Sequence, residues 1–263
     1  MGALKADANP AGWYQDYSQT LRRVLGLHGS PVAVAFSDRP AASGTRQKYR
    51  ACGAASAARH GAVISLSRAN SACRGATGNL GLGPLSPVED FFICSFLAHS
   101  EKLWKTVPAA HRARRHTFKQ APPPCAHGQY LIFAPLEKAK VEPALVLFIC
   151  NPEQACRLTS LARYHDGVLP PSQMEGSLCW STITYPLATG NINVSLGDFT
   201  ARRIEGWQPD ELVVSVPTPK LHNIMESMDS CTAGTASPLI RLRMSPGRGE
   251  AITSREAPGR PPA

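Results

Sequence analysis

The stretch "ALVLFICNPEQACRLTSLARYHDG", residues 144–167, decides the fold because it holds a strand followed directly by a helix. Its first seven residues are all apolar, which is typical of a strand that is covered on both faces. Pro152 then stands where a helix begins, and Gly167 stands where a helix usually ends. The segment predicts a buried strand joined to a surface helix.

The same alternation of strand and helix runs through most of the chain. The longer predicted strands cover 31–37, 62–67, 130–136 and 144–150, with short strands in "NVSLGDF" and "ELVVSVP". We therefore expect an α/β or α+β fold, a single domain over residues 12–231 with a mixed sheet and flanking helices. Residues 1–11 read as a flexible lead, and residues 232–263 as a disordered tail rich in Arg, Pro and Gly.

Composition limits the classes of function. The 263 residues are 43% hydrophobic and 18% charged, which suits a folded core, and the net charge of +9 lies partly in the tail. The longest apolar run is far shorter than the roughly 20 residues of a membrane span, and no targeting segment is visible at the N-terminus. We therefore expect a cytoplasmic protein with no membrane partner, in which the eight cysteines are thiols or ligands rather than disulfides.

A second stretch, "NSACRGATGNLGLG" at residues 70–83, places a cysteine in a glycine-rich loop after a strand. Such a loop could hold a phosphate with backbone N–H groups, bind a metal, or form a tight turn. Its spacing matches neither G-x-G-x-x-G nor G-x-x-x-x-G-K-[ST], which favours the turn over the phosphate site. The metal hypothesis stays open at this point.

Several segments together resemble a known prokaryotic family. They are "LGLHGSPVAVAFSD", "CRGATGNLGLG", "VLFICNPEQACRL", "CWSTITYPLATGNINVSLGDFTARR" and "DELVVSVPTPKL". In this order and spacing they resemble domain-of-unknown-function family 169, from about residue 14 to residue 228. The resemblance implies no reaction, but it implies cysteines at the positions of Cys52, Cys73 and Cys179.

These three cysteines are the candidate metal ligands. Each stands near the predicted start of a helix or loop, where backbone dipoles stabilise a thiolate, and together they could hold a [4Fe–4S] cluster with one open iron. Zinc, with His60 or His127 as a fourth ligand, is the variant. The candidate substrate ligands are Gly75, Asn193, Ser195 and Arg202.

Three classes of function follow from the sequence. One is a redox or Lewis-acid enzyme that acts through an iron–sulfur cluster on a small anionic substrate. The second is a metal-free small-molecule binding protein that uses the loop 193–203. The third, disfavoured because stacking aromatics are missing, is a nucleic-acid or acidic-partner binder that uses the tail and the basic run 111–119, which we expect in an exposed connection. The sequence specifies neither a substrate nor an oligomeric state.

Overall fold

The protein is described by a computed structural model that covers residues 10–41, 47–124, 128–170, 172–174 and 179–235. Six strands form a single sheet. They are β1 (Val32–Ser37), β2 (Ile64–Leu66), β3 (Tyr130–Pro135), β4 (Leu145–Cys150), β5 (Asn193–Ser195) and β6 (Leu212–Pro217). The four longer strands predicted from the sequence are therefore confirmed, and the two short ones are present as β5 and β6.

Ten α-helices lie in the described residues. They are α1 (Pro10–Leu25), α2 (Ala51–Arg59), α3 (Arg74–Asn79), α4 (Pro87–His99), α5 (Val107–Gln120), α6 (Pro152–Asp166), α7 (Tyr185–Thr189), α8 (Phe199–Arg203), α9 (Thr218–Ser227) and α10 (Thr232–Thr235). A 3-10 turn covers Leu136–Lys138, and a π-helical segment covers Trp180–Thr184 just before α7.

The strand order is β2-β3-β1-β4-β6-β5, and every pair of named strands is antiparallel. The expected combination of helices and sheet is confirmed, but the sheet is antiparallel and not mixed. The prediction failed there because an apolar run shows that a strand is covered on both faces and does not show its direction. Helices cover both faces of this antiparallel sheet.

Side chains alternate along each strand and separate two hydrophobic clusters. Val146 and Phe148 of β4 point to one face, which is covered by α1, α6 and α9 and is called the α6 face below. Leu145 and Leu147 point to the other face, which is covered by α2, α3 and the π-helical segment and is called the α2 face. The fully apolar sequence of β4 follows from this two-sided burial.

Helix α6 begins and ends where its sequence predicts. The Asn151 side chain accepts from the Gln154 backbone N–H at 2.9 Å, and the Gln154 side chain accepts from the Asn151 N–H at 3.0 Å, which forms a capping box before Pro152. Gly167 ends the helix with a φ of 70°. Local sequence and the packing of α6 on the sheet therefore agree.

Two predicted irregular regions are helical. The basic run 111–119 lies in α5, which Thr106 caps, so the exposed connection predicted from its charges and the prolines that follow is wrong. Ala110 and Arg114, four residues apart, are in fact buried. The predicted tail begins with α10, which packs on α6, and the remaining residues 236–263 lie outside the described residues, as do residues 1–9 of the lead.

Candidate functional site

The three candidate cysteines come from three separate parts of the chain and line one cavity on the α2 face. Cys52 is the second residue of α2, Cys73 directly precedes α3, and Cys179 directly precedes the π-helical segment. The cavity measures about 750 Å³, and we call it the cysteine cavity. This volume lies within the range of small-molecule sites.

The cysteine thiols are close enough to influence one another electrostatically. Burial raises the pKa of the Cys179 thiol well above its usual value, and the charges of Cys73 and Cys52 raise it further. Burial is also the main cause of the raised pKa of the Cys52 thiol, and the charges of Asp198, Glu205 and Cys73 raise it further. A hydrogen bond from the Gly53 backbone N–H lowers it. Without a metal, Cys52 and Cys179 are therefore neutral thiols at pH 7.

The spacing of the three sulfurs is wider than a single ion requires. Within the described part of the chain, Cys52, Cys73 and Cys179 do not form a group whose sulfurs all lie within 4.8 Å of one another. A tetrahedral zinc ion holds two thiolate sulfurs about 3.8 Å apart, whereas a cubic iron–sulfur cluster holds them roughly 6–7 Å apart. The described side-chain positions therefore do not place all three sulfurs around one tetrahedral ion.

Only one of the two histidines predicted for the zinc variant lies in the described residues. His60 follows the C-terminal end of α2 and lies roughly 12 Å along the axis from Cys52. His127 lies outside the described residues. Seven helical residues lie between His60 and Cys52, so the histidine predicted as a fourth ligand stands at the opposite end of α2 from the thiol.

The glycine-rich loop is a short helix and a turn that serve two purposes. A Cβ atom at Gly75 would lie 3.6 Å from the Cys73 sulfur, so this glycine lies directly beside the thiol. At Gly81, φ is +67° and a Cβ atom would lie 2.0 Å from the Pro124 carbonyl oxygen. Gly75 therefore borders the cysteine cavity, and Gly81 is required by the backbone turn.

The other predicted substrate ligands bond mainly to the protein itself. The Asn193 side chain donates to the Ser181 carbonyl oxygen at 2.7 Å, and the Ser195 hydroxyl is 2.8 Å from that of Ser181. The Arg202 guanidinium donates to four backbone carbonyls, and the residues between Ser195 and Arg202 line the cavity instead, at positions 197–200. Substrate binding by Asn193, Ser195 and Arg202 stays a prediction.

Two carboxylates also line the cysteine cavity: Asp198, which lies in the loop 193–203 of the metal-free binding hypothesis, and Glu101, which sequence reasoning did not select. Asp198 caps α8 by accepting from the Ala201 N–H at 2.8 Å. Burial raises the pKa of Glu101, and the charge of Asp198 raises it further. The charge of Arg50 lowers it. Asp198 occupies the N-cap position of α8, which the sequence does not reveal when "NVSLGDF" is predicted as a strand. Glu101 follows the end of α4 and carries no motif.

Apolar and basic side chains complete the lining. Phe92, Phe96 and Trp104 form part of one wall, and Arg50 and Arg74 add positive charge. Arg50 also pairs with Glu205 at 3.3 Å. The arrangement combines thiols, two carboxylates and arginines in one concave site, which is the pattern of a binding or catalytic pocket.

Comparison with known proteins gives the family. The sequence profile of domain-of-unknown-function family 169, described as "Uncharacterised ArCR", matches residues 20–227. The chain belongs to this family. The resemblance inferred from the quoted segments is thereby confirmed, and the match includes all three cysteines and the residues on both faces of the sheet.

A relative of the family-169 chain is an uncharacterized protein of Methanocaldococcus jannaschii, 31% identical over 100 residues. The match covers 37% of this chain and spans less than half, 43%, of the relative. No solved structure matches the chain. Within the described residues, no helix has the length and apolarity that crossing a membrane requires.

The family-169 chain has a second group of side chains with the spacing of metal ligands. Asp90 and Cys94 on α4 and His111 on α5 each offer an atom that lies within 4.8 Å of the other two. We call this set the α4–α5 ligand group. Sequence reasoning missed it because His111 was expected in an exposed connection and not on a helix beside α4. The available signal was Asp90 four residues before Cys94 on one helical face.

Nucleic-acid binding through residues 111–119 stays a prediction. The run lies on α5, where Arg114 is buried while Arg112, Arg115 and Lys119 are exposed. The rest of the proposed basic surface, in the tail after residue 235, lies outside the described residues.

Proposed function

We propose that the protein holds a [4Fe–4S] cluster in the cysteine cavity through Cys52, Cys73 and Cys179, and acts there on a small anionic molecule. The observation that carries the proposal is that three cysteines far apart in sequence line the same cavity. Such a cluster supplies either an electron or a Lewis-acidic iron when bound. A cytoplasmic location, where thiols stay reduced, belongs to the same proposal.

The surroundings of the sulfurs fit a cluster. At least one pair of the three sulfurs lies more than 4.8 Å apart, which is wider than in a tetrahedral zinc site, and backbone hydrogen bonding from Gly53 lowers the pKa of Cys52. The backbone of Gly75 lies directly beside Cys73, since a Cβ atom there would be 3.6 Å from the sulfur. Hydrogen bonds to sulfur and close backbone approach are features of iron–sulfur sites.

The remaining lining residues have distinct roles in the proposal. Arg50 and Arg74 attract an anion to the cavity. The rings of Phe92, Phe96 and Trp104 offer apolar surface to a bound molecule. Glu101, with its raised pKa, is the candidate to hold or move a proton beside Asp198.

Anaerobic purification tests the proposal. The full chain should be brown and should contain about four irons per chain. Cys73→Ser should abolish the colour, whereas Cys156→Ser, at an exposed thiol on α6, should leave it unchanged. Colourless wild-type protein after anaerobic reconstitution with iron and sulfide would contradict the cluster.

A metal-free binding protein is the second candidate. It is favoured by the raised pKa values of Cys52 and Cys179, because neutral thiols behave as ordinary small apolar side chains. It is also favoured by the lining residues 197–200, which belong to the loop that this hypothesis uses. Iron-free protein whose thermal midpoint rises with small carboxylates or inorganic phosphate, and which takes up no iron, would establish this candidate instead.

A further inference from the structure

The α4–α5 ligand group is formed by two helices that pack against each other. Asp90 and Cys94 are one helical turn apart and therefore share a face of α4. His111 meets them from α5. Carboxylate, thiolate and imidazole are the three side-chain types that bind zinc in proteins.

The distance between the ligand atoms of Asp90 and His111 fits two ligands of one metal ion better than a direct hydrogen bond between them. The His111 Nδ1 atom lies 3.3 Å from the Asp90 Oδ2 atom. A charged hydrogen bond between such groups is about 2.7–2.9 Å long. Two ligands of a tetrahedral zinc ion with metal–ligand distances of about 2.0–2.1 Å lie roughly 3.3–3.4 Å apart.

A neighbouring arginine orients the aspartate. The Arg114 Nε atom donates to the Asp90 Oδ1 atom at 2.8 Å, which leaves Oδ2 directed toward His111. A hydrogen bond to the second oxygen of a carboxylate ligand is the usual way in which proteins fix its orientation. Arg114 itself is held between Asp90 and the Asn79 side-chain oxygen, at 3.3 Å from the latter.

The group also has an entry path. Cys94 is fully buried, whereas the side chains of Asp90 and His111 remain about 30% exposed, at 31% and 29%. An ion can therefore arrive from solvent at the oxygen and nitrogen and reach the sulfur from there. A water molecule from solvent would supply the fourth ligand.

We propose that Asp90, Cys94 and His111 bind a zinc ion that fastens α4 to α5. This site is separate from the three cysteines and does not depend on the proposed cluster. Its consequence for the cavity is direct, since Ile93 of α4 and Thr117 of α5 line the cysteine cavity. An ion bound between the two helices would fix that wall.

Cobalt titration of the chelator-treated, reduced full chain tests the site, because Co²⁺ bound by a thiolate absorbs strongly in the near ultraviolet. We expect one equivalent to produce this band and zinc to displace it. Cys94→Ser should remove the band. His111→Gln, at a half-exposed position that is tolerant of change, should weaken cobalt affinity at least about tenfold. His116→Gln, at an exposed histidine on the same helix, is the matched control and should change nothing.

A Cys73→Ser titration separates this site from the cysteine cavity. The band should persist in Cys73→Ser, and zinc should raise the thermal midpoint of that variant but not of His111→Gln. If the band is lost in Cys73→Ser and kept in His111→Gln, the ion belongs to the cysteine cavity and the inference is overturned. A complete lack of thiolate–cobalt absorption in folded wild-type protein would leave Asp90, His111 and Arg114 as a plain ion-pair network.

Discussion

The two faces of the sheet share the same strands but are covered in different ways. On the α6 face, large side chains such as Leu158, Leu161 and Ile224 are fully buried against Phe148. On the α2 face, the covering helix contributes mainly small residues, with Ala54, Ala55 and Ala58 buried. Large side chains fill the α6 face, whereas small ones bring α2 close to the sheet and place the start of that helix at the cysteine cavity.

The α6 face contributes mainly to stability, whereas the α2 face contains the candidate binding cavity. The strand side chains alternate in the same manner toward both faces, so the strands alone do not decide where a pocket forms. The helices decide it. Large side chains fill the described part of the α6 face, whereas the glycine- and alanine-rich helices of the α2 face border a cavity of about 750 Å³.

The largest expected effect contrasts a core aromatic with an aromatic of the cavity wall. Phe148→Ala should lower the free energy of unfolding by about 3–5 kcal/mol, because its ring is fully buried on the α6 face. Phe92→Ala should change it by less than about 0.5 kcal/mol, because Phe92 is 55% exposed. Urea denaturation of both variants measures the difference, and equal losses would show that the two faces are packed alike.

A smaller effect distinguishes two glycines of the same loop. Gly81→Ala should destabilise by about 1–3 kcal/mol, because its φ is positive and the new Cβ atom would meet the Pro124 carbonyl oxygen. Gly75→Ala should be neutral or stabilising by about 0.5–1 kcal/mol, because it lies in α3 with only an ordinary contact to sulfur. Thermal unfolding compares them. If Gly75→Ala proved the more damaging, α3 would not pack as described.

A further effect concerns alkaline pH on the α6 face. Burial raises the pKa of Cys150 from 9.0 to about 12, so the folded state retains this proton where the unfolded state loses it. The thiol's contribution to stability is therefore complete below pH 9 and is lost as pH rises to 12, with a slope of about 1.4 kcal/mol per pH unit. Cys150→Ala should remove that part of the slope in urea titrations between these pH values. An unchanged slope would mean that the thiol is solvated.

Much of the fold was predictable from local sequence. The structure contains the strands β1 and β4 that the apolar runs predict, and α6 begins at Pro152 and ends before Gly167 as predicted. The failures involve α5 and the strand direction. Arg114 is buried through pairing with Asp90, which composition cannot reveal because the partner lies on another helix.

The cysteine cavity was predictable only in part. Cys52, Cys73 and Cys179 were selected from their positions at the starts of elements and from the family resemblance, and all three line the cavity. Glu101 was not selected, because its environment exists only after α4 and α8 come together around it. The α4–α5 ligand group was missed for the same reason, since one of its helices had not been predicted.

The most direct test of the central claim is the iron content of anaerobically reconstituted single variants. If the three cysteines act as one site, Cys52→Ser, Cys73→Ser and Cys179→Ser should each reduce iron from about four per chain toward zero. Cys94→Ser and Cys156→Ser, which alter thiols outside the cysteine cavity, should retain it. Full iron content in any of the first three variants, with the fold intact by circular dichroism, would contradict the claim that these thiols hold one cluster.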